Sequence, residues 1–200
     1  MPKKVDHRAR RHTIAESVWR VSAQGGIETV TMRQVAAAAG MSLGQVQHYF
    51  TTKDELLAFA YELLTDHVAA RVSQREDPPC DEEPEPRTIV GNVLTELLPL
   101  DEERTVEAHF LLMFLARSAV SAEFAARLGK AHADLHAFVA DQIRRGQRRG
   151  MVAVHLDAAR EARTLLAVLD GLTTHVLVGH HTARDAEQAL DDHLDALFSG

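Results

Sequence analysis

The stretch "SLGQVQHYF" at residues 42–50 holds the side chains best suited to molecular recognition. If the stretch is helical, only Val46 and Leu43 need to face inward, and hydrogen-bonding groups cover the rest. A Gln side chain offers a donor and an acceptor that match an adenine edge, and Ser can act as either. Gly44 would let the backbone approach a partner closely. The composition therefore indicates a surface that reads base edges in the DNA major groove.

Three helix-start signals position this stretch. Each places a Gln or Glu three residues after a Thr or Ser: Thr31 with Gln34, Ser42 with Gln45, and Thr52 with Glu55. This spacing is typical of the capping box, which satisfies backbone donors that a helix start leaves without partners. It predicts helices over about 31–38, 42–48 and 52–75.

The first two predicted helices are joined by "AAAAG", residues 36–40. Small side chains let two helices approach closely, and Gly40 can take the positive φ that a tight turn needs. Val35, Ala36, Ala39, Val46 and Phe50 fall where the two helices would share a small core. A helix, a tight glycine turn and a second short helix form the helix-turn-helix motif, whose second helix enters the major groove.

Polar and basic side chains around the motif are suited to contacts with the phosphate backbone. Tyr49 and His48 would meet phosphate, while Arg33 and Lys53 lie in first helical turns, where backbone N–H groups also favour anions. The full set of predicted DNA contacts is Thr31, Arg33, Ser42, Leu43, Gly44, Gln45, Gln47, His48, Tyr49 and Lys53, with Lys3, Lys4, Arg8, Arg10 and Arg11 in a basic N-terminal arm.

Charge is divided unevenly along the 200 residues. The whole chain has a formal charge of −7, but residues 1–53 hold eight Lys or Arg against three acids, which is +5, and the remainder is −12. This asymmetry favours a basic module for a polyanion joined to an acidic module with another task. The alternative, three short amphipathic helices that only build a core, leaves this charge and the short polar second helix unexplained.

The rest of the chain also predicts helices, since apolar residues recur at three- and four-residue spacing. The proline-rich, acidic segment at 76–86 is predicted to be a loop, and about nine helices are expected, with the eighth and ninth over 157–181 and 183–200. No apolar run is long enough to span a membrane. The single Cys80 and the lack of an apolar stretch after the basic N-terminus lead us to expect a cytoplasmic protein.

Two motifs resemble the N-terminal domain of the TetR family of bacterial transcriptional regulators. They are the turn "AAAAGMS" at 36–42 and the run "QHYF" at 47–50 followed by "KDEL" at 53–56. The resemblance covers roughly residues 8–60. It implies an all-α homodimer with a DNA-binding domain at 1–53 and a ligand-binding and dimerisation domain at 54–200. Leu43-Gly44 departs from the small-residue pair usual in the family, so the resemblance does not indicate an operator sequence.

The resemblance further implies that a small molecule binds between the fourth and seventh helices and that the last two helices pair with those of a second copy. Candidate ligand contacts are Tyr61, Leu64, His67, Leu94, Leu98, His109, Phe110, Met113, Phe114, Arg117 and Phe138. Candidate dimer contacts are Leu165, Leu169, Leu172, Val176, Leu190, Leu194 and Leu197. The alternative is that these apolar faces close the core of a single chain. Pairing with a second copy is favoured because a helix-turn-helix reads a palindrome only when it is duplicated.

We therefore expect a ligand-responsive repressor that binds a palindromic operator, with no cofactor and no membrane partner. A metal-responsive or activating regulator of the same fold stays open. His132 and His136 are four residues apart and His180 and His181 are adjacent, but neither pair brings a third ligand at a defined spacing. An all-helical enzyme is disfavoured because the sequence has no phosphate-binding glycine loop, nucleophile elbow or metalloprotease motif.

Overall fold

The computed structural model describes residues 7–26, 30–74 and 84–200. Lys3, Lys4, Cys80 and most of the predicted loop at 76–86 lie outside these ranges. The described residues form nine α-helices and no strand, which confirms the predicted all-α class. The helices are α1 His7–Gly25, α2 Met32–Ala38, α3 Leu43–Tyr49, α4 Lys53–Gln74, α5 Pro86–Thr95, α6 Glu102–Ser118, α7 Ala122–Arg148, α8 Ala158–Leu177 and α9 Ala183–Phe198.

The chain packs as two compact units. The first unit comprises Met1–His67 and His109–Arg127, and the second comprises Val68–Ala108 and Leu128–Gly200. In the described ranges, no helix combines the length and the apolar character that crossing a membrane requires. The expected functional division after residue 53 is a separate matter from this packing and stays a prediction.

Aromatic side chains build the core of the first unit. Phe114 is fully buried, stacks on Tyr61 with ring centres 4.2 Å apart, and contacts Phe110 and Phe124 at 5.9 and 5.1 Å. Burial raises the pKa of the Tyr61 phenol. These contacts join α4, α6 and the start of α7 into one cluster.

The core of the second unit contains most of the residues predicted for the dimer interface. Five of the seven predicted contacts are buried in this core together with residues of α5 and α7, and these five are Leu165, Leu169, Leu190, Leu194 and Leu197. A side chain already removed from solvent within one chain has no surface left to bury against a second copy. Only Leu172 and Val176 are partly exposed. The five leucines are core residues of the single chain, and the pairing of α8 and α9 with a second copy stays a prediction.

A charged network in the second unit was not predicted from the sequence. The Arg71 guanidinium donates to both carboxylate oxygens of Glu107, at 2.9 and 2.7 Å, and to Glu96 at 3.0 Å. Both acids are less than 9% exposed. Their hydrogen bonds, first that to Glu107, raise the pKa of Arg71. Buried charges persist only when paired, so Arg71 is what permits the two carboxylates inside the unit.

The C-terminal end of α8 differs from the prediction. The helix ends at Leu177 instead of continuing to residue 181. The N–H of His180 donates to the carbonyl of His175 at 2.8 Å, and Gly179 adopts a φ of +78°. A left-handed glycine that closes such a bond is a usual helix end. The sequence pattern missed this end because apolar residues continue through Val178.

Gly146 lies at a close helix contact within the second unit and supplies a stability test. A Cβ atom built there would lie 2.8 Å from Val152 Cγ2 and 3.1 Å from the Phe198 ring, whereas one at Gly129 on the same helix would meet nothing within 4 Å. We expect Gly146→Ala to lower the free energy of unfolding by about 1–3 kcal/mol through overpacking. Gly129→Ala should raise it by about 0.5–1 kcal/mol. Urea denaturation measures both, and equal effects would contradict this packing.

Candidate nucleic-acid interface

Two seven-residue helices, α2 and α3, are joined by a tight turn centred on Gly40. Gly40 has a φ of +65°, and the N–H of Met41 reaches back to the carbonyl of Ala36 at 2.9 Å. Residues with side chains rarely adopt this conformation, so the sequence places glycine at the one point that needs it. The predicted helix-turn-helix is therefore present in the structure.

The two short helices share the small core that was expected. Val35 and Val46 are fully buried, as are Ala36 and Phe50 to within 3%, and Ala39 is half-buried. The contacts between α1 and α2 and between α2 and α3 hold the three helices together. This packing is essential because helices of this length are not stable alone.

The three predicted caps differ in how completely they form. Ser42 and Gln45 make the full reciprocal box, in which the Gln45 N–H donates to Ser42 Oγ at 3.2 Å and the Ser42 N–H donates to Gln45 Oε1 at 2.8 Å. Thr31 Oγ1 accepts from the Gln34 N–H and donates to the Gln34 side chain. At α4, Thr52 accepts from the Glu55 N–H, while the Glu55 carboxylate accepts from the N–H of Thr51.

The predicted reading face of α3 is exposed to solvent. Val46 alone is buried, and Leu43 and Tyr49 are half-buried, while the exposed members are Ser42, Gly44, Gln45, Gln47 and His48. The cap distinguishes the two glutamines on this face. The side-chain amide oxygen of Gln45 accepts from the Ser42 N–H, whereas Gln47 takes no part in the cap and is exposed.

The groups predicted to contact phosphate surround α3. Thr31, Arg33, Arg8 and Arg10 are exposed, and Lys53 is half-buried. His7 lies at the start of α1. The centre of its ring is 6.2 Å from that of His48 and 5.5 Å from that of Tyr49. The beginning of α1 therefore lies beside the end of α3. Lys3 and Lys4 fall outside the described residues, so the outer part of the basic arm stays a prediction.

Arg11 has a structural task that the sequence did not indicate. Its guanidinium lies 4.9 Å from the centre of the Phe50 ring and 4.3 Å from that of Phe59, a cation–π arrangement that joins α1, the end of α3 and α4. Its Nε atom is buried and makes no hydrogen bond. Arg11 also lines a groove of about 380 Å³ between α1 and α4, with His12, Glu62 and Asp66 among its other walls. This side chain is half-buried, whereas that of Arg10 is exposed.

Half of the predicted ligand contacts in the first unit are core residues. Tyr61, Leu64, Phe110 and Phe114 are buried, with Tyr61 and Phe114 in the aromatic stack described above. Arg117 forms an ion pair with Asp54 at 3.3 Å and lies 5.5 Å from the Phe124 ring centre. His67 packs edge-on against Trp19 at 5.2 Å, and the half-buried members are His67, His109, Met113 and Arg117.

In the second unit, Leu94 and Leu98 are fully buried in the core, and Phe138 packs partly exposed against it. The structure thus distributes the predicted ligand contacts over both units, and their role in binding a ligand stays a prediction. Glu96 and Glu107 also lie in the second unit, and no local pattern predicted them because their shared partner, Arg71, is 25 and 36 residues away.

Comparisons with known proteins agree with this site. Residues 15–59 match the family model described as "Bacterial regulatory proteins, tetR family", and residues 86–199 match "BetI-type transcriptional repressor, C-terminal". The chain is 32% identical to the HTH-type transcriptional regulator PksA of Bacillus subtilis (strain 168), over 89% of this chain and 83% of the relative.

Solved structures show the same fold. A transcriptional regulator from Rhodococcus sp. Rha1 is 31% identical with a TM-score of 0.79, over 94% of this chain and 95% of that one. A regulator from Saccharomonospora viridis, solved in complex with choline, is 23% identical with a TM-score of 0.80, over 94% and 96% of the two chains. The matched families and relatives are regulators of transcription, which confirms the prediction of a regulator rather than an enzyme.

Gly40 allows a direct test of the turn. A Cβ atom there would meet nothing within 4 Å, so a substitution is costly only because φ is +65°. We expect Gly40→Ala to lower the free energy of unfolding by about 1 kcal/mol. Gly40→Asn should cost clearly less, since Asn tolerates this conformation better. Thermal or urea unfolding measures the difference, and equal losses for the two variants would contradict the conformational explanation.

Proposed function

This chain belongs to the TetR family of bacterial transcriptional regulators, and on that premise we propose that it is a repressor that binds a palindromic operator as a homodimer and is released by a small molecule. The observation that carries the proposal is the exposed polar face of α3, presented by a capped helix whose opposite side is buried. A packing helix would have no reason to expose so many hydrogen-bonding side chains on so short a length.

The dimensions of α3 suit the major groove. A seven-residue helix is about 10 Å long, and the groove is about 12 Å wide. Gln47 then reads an adenine edge, and Gly44 allows the backbone to come close to the DNA. Gln45 has a double role. Its side-chain amide oxygen completes the cap, and its side-chain NH₂ group is left for the groove.

Basic and polar groups flank α3 and fix its register on the phosphates. Arg33, at the start of α2, and Lys53, at the start of α4, provide cations beside backbone N–H groups. Arg8 and Arg10 extend the same surface along α1, in the segment that carries a formal charge of +5. Such contacts supply affinity that depends on salt but not on sequence.

We propose that the dimer surface lies on the outer faces of α8 and α9. Small or apolar residues are exposed there, with Ala167, Gly171 and Val178 on α8 or at its end and Ala189 and Ala196 on α9. Small side chains allow helices of two copies to approach closely, and a two-fold interface uses the same patch on both. Two copies are needed because a single helix-turn-helix reads only half of a palindrome.

We propose that α4 carries the response to the effector. Its residues up to His67 pack in the first unit, and those from Val68 pack in the second. Within the first unit, the Phe59 ring contacts Phe50, the C-cap of α3, at 5.4 Å, and the Ala60 carbonyl accepts from the Trp19 indole at 3.2 Å. A displacement of α4 would therefore move α3. Release follows because two half-sites cannot then be engaged together.

Choline, bound by the Saccharomonospora viridis neighbour, is a reasonable first compound for an effector screen. A quaternary ammonium ion is recognised by aromatic rings arranged around it. The Tyr61 and Phe114 rings are instead stacked on each other at 4.2 Å and 8°. This pair is no open cage, so choline would have to separate the rings to use them, and we propose no specific effector.

DNA selected by the wild-type chain from a random pool tests the reading face. We expect Gln47→Ala to weaken binding to the selected sequence at least about fivefold, which corresponds to one lost base contact, and to relax preference at one position per half-site. Arg33→Ala should weaken binding to all sequences alike and reduce the dependence on salt concentration. Fluorescence anisotropy at several salt concentrations measures both.

Gly44→Ala provides the matched check that folding and DNA binding are separate. Its Cβ atom meets nothing within 4 Å and its φ is ordinary, so the variant should be as stable as wild type or more so. It should nevertheless bind the selected DNA more weakly, because the added methyl group faces the groove. Unchanged binding by both Gln47→Ala and Gly44→Ala would overturn the assignment of α3 as the reading helix.

The dimer surface is tested by mass in solution. We expect wild type to behave as two chains of 22.1 kDa at micromolar concentration, and Ala167→Glu or Gly171→Glu to behave as one. Ala137→Glu, an exposed alanine on α7, is the matched control and should remain a dimer. A monomeric wild type, or dimers for all three variants, would contradict the proposed surface.

A further inference from the structure

The turn between α8 and α9 brings together three exposed histidines. His175 lies in the last turn of α8, and His180 and His181 follow the helix end. The ring centres of His175 and His180 are 5.6 Å apart, and those of His175 and His181 are 5.2 Å apart. The adjacent pair was visible in the sequence, but the third imidazole comes close only through the fold.

The backbone holds this cluster in place. The His175 carbonyl accepts from the N–H groups of both His180 and His181, at 2.8 and 3.3 Å, and Gly179 makes the reversal with a φ of +78°. Immediately after it, Thr182 and Asp185 form a complete capping box at the start of α9. Both sides of the turn are therefore fixed, and the three imidazoles start from neighbouring, backbone-defined positions.

The distances from the His175 ring to the rings of His180 and His181 suit coordination of a single ion. Zinc binds imidazole nitrogens at about 2.0–2.1 Å in a tetrahedral shell, which sets the centres of two ligating rings about 5 Å apart. The two separations measured from His175 lie close to this value, whereas the ring nitrogens of the three histidines do not all lie within 4.8 Å of one another before any rotation. The side chains are exposed, so rotation about their χ angles can turn the nitrogens toward one ion while the backbone stays in place.

We propose that His175, His180 and His181 form a binding site for a divalent transition-metal ion of the kind that prefers imidazole, with Zn²⁺ as the best match. Three protein ligands leave the fourth position of a tetrahedral ion to water. The carboxylate of Asp185 interacts electrostatically with His181 and adds negative charge beside the ion. The ion would tie the end of α8 to the start of α9. This inference does not depend on the proposed function.

The other histidine pair noticed in the sequence is less suitable. His132 and His136 are both on α7, but the Nε2 atom of His136 lies 2.8 Å from the Ala159 carbonyl and is engaged by it. His132 is exposed, as is His155 in the connector before α8. These two exposed residues serve as controls, because they carry the same chemistry outside the turn.

The test uses the full chain after removal of metal with a chelator. Titration with Co²⁺, whose visible absorption reports tetrahedral coordination, should show one saturable site per chain, and added Zn²⁺ should displace the signal. Alanine at His175, His180 or His181 should weaken binding at least about tenfold, because loss of a ligand costs no less than loss of an outer-shell partner. His132→Ala and His155→Ala should leave it unchanged.

Zn²⁺ should also raise the melting temperature of the wild-type chain and not that of the variant with all three turn histidines replaced by alanine, since an ion that binds only the folded state stabilises it. The substituted side chains are exposed, so the variants should fold without metal. Adventitious binding only, seen as equal Co²⁺ affinity in wild type and the triple variant, would overturn the proposal. So would equal losses in the two control variants, or no tetrahedral cobalt signal at any concentration up to about 1 mM.

Discussion

A helix of seven residues is not stable alone in water. The site contains two such helices, α2 and α3, and both must be stabilised by the residues around them. Isolated helices shorter than about 12–15 residues are marginal even with favourable sequences. Here α2 and α3 are each seven residues long. Side-chain caps satisfy their first backbone donors, and Val35 and Val46 bury one side of each against the shared core. The opposite side of α3 is then free to carry polar groups, because folding makes no demand on it.

Because α2 and α3 are so short, several residues around α3 each have more than one structural role. Phe50 is the C-cap residue of α3, a core side chain and the surface on which Arg11 lies. Gln45 completes a cap while it faces solvent. The second unit solves a different problem, the burial of Glu96 and Glu107, through the single guanidinium of Arg71. In both units a few side chains from different helices fix geometry that no one helix could maintain.

Local sequence signals predicted most of the helices and the exposed polar face of α3. Cap spacing located α2, α3 and α4 to within one residue, and glycine at position 40 located the turn, because caps and tight turns depend on neighbours in the sequence. Contacts between residues far apart in the sequence could not be predicted from these local signals. Arg71 and its acids, Arg11 on Phe59, and His175 beside His181 become neighbours only after folding.

The apolar stripes of α8 and α9 were difficult to interpret from the sequence for a related reason. Leu165 and Leu194 form apolar stripes on their helices, and a stripe states that a face is buried without stating what buries it. In this chain α5 and α7 cover those faces, while small residues such as Ala167 and Gly171, which no hydrophobic pattern emphasises, are exposed.

The central claim is that α3 reads DNA in the major groove, twice and with two-fold symmetry. Footprinting of the wild-type chain on its selected duplex, with base-specific probes for the major groove, tests this most directly. The account predicts two protected major-groove patches related by a dyad and separated by about 10–10.5 base pairs or a multiple of that distance. A single patch, protection confined to the minor groove, or protection that ignores sequence would contradict it.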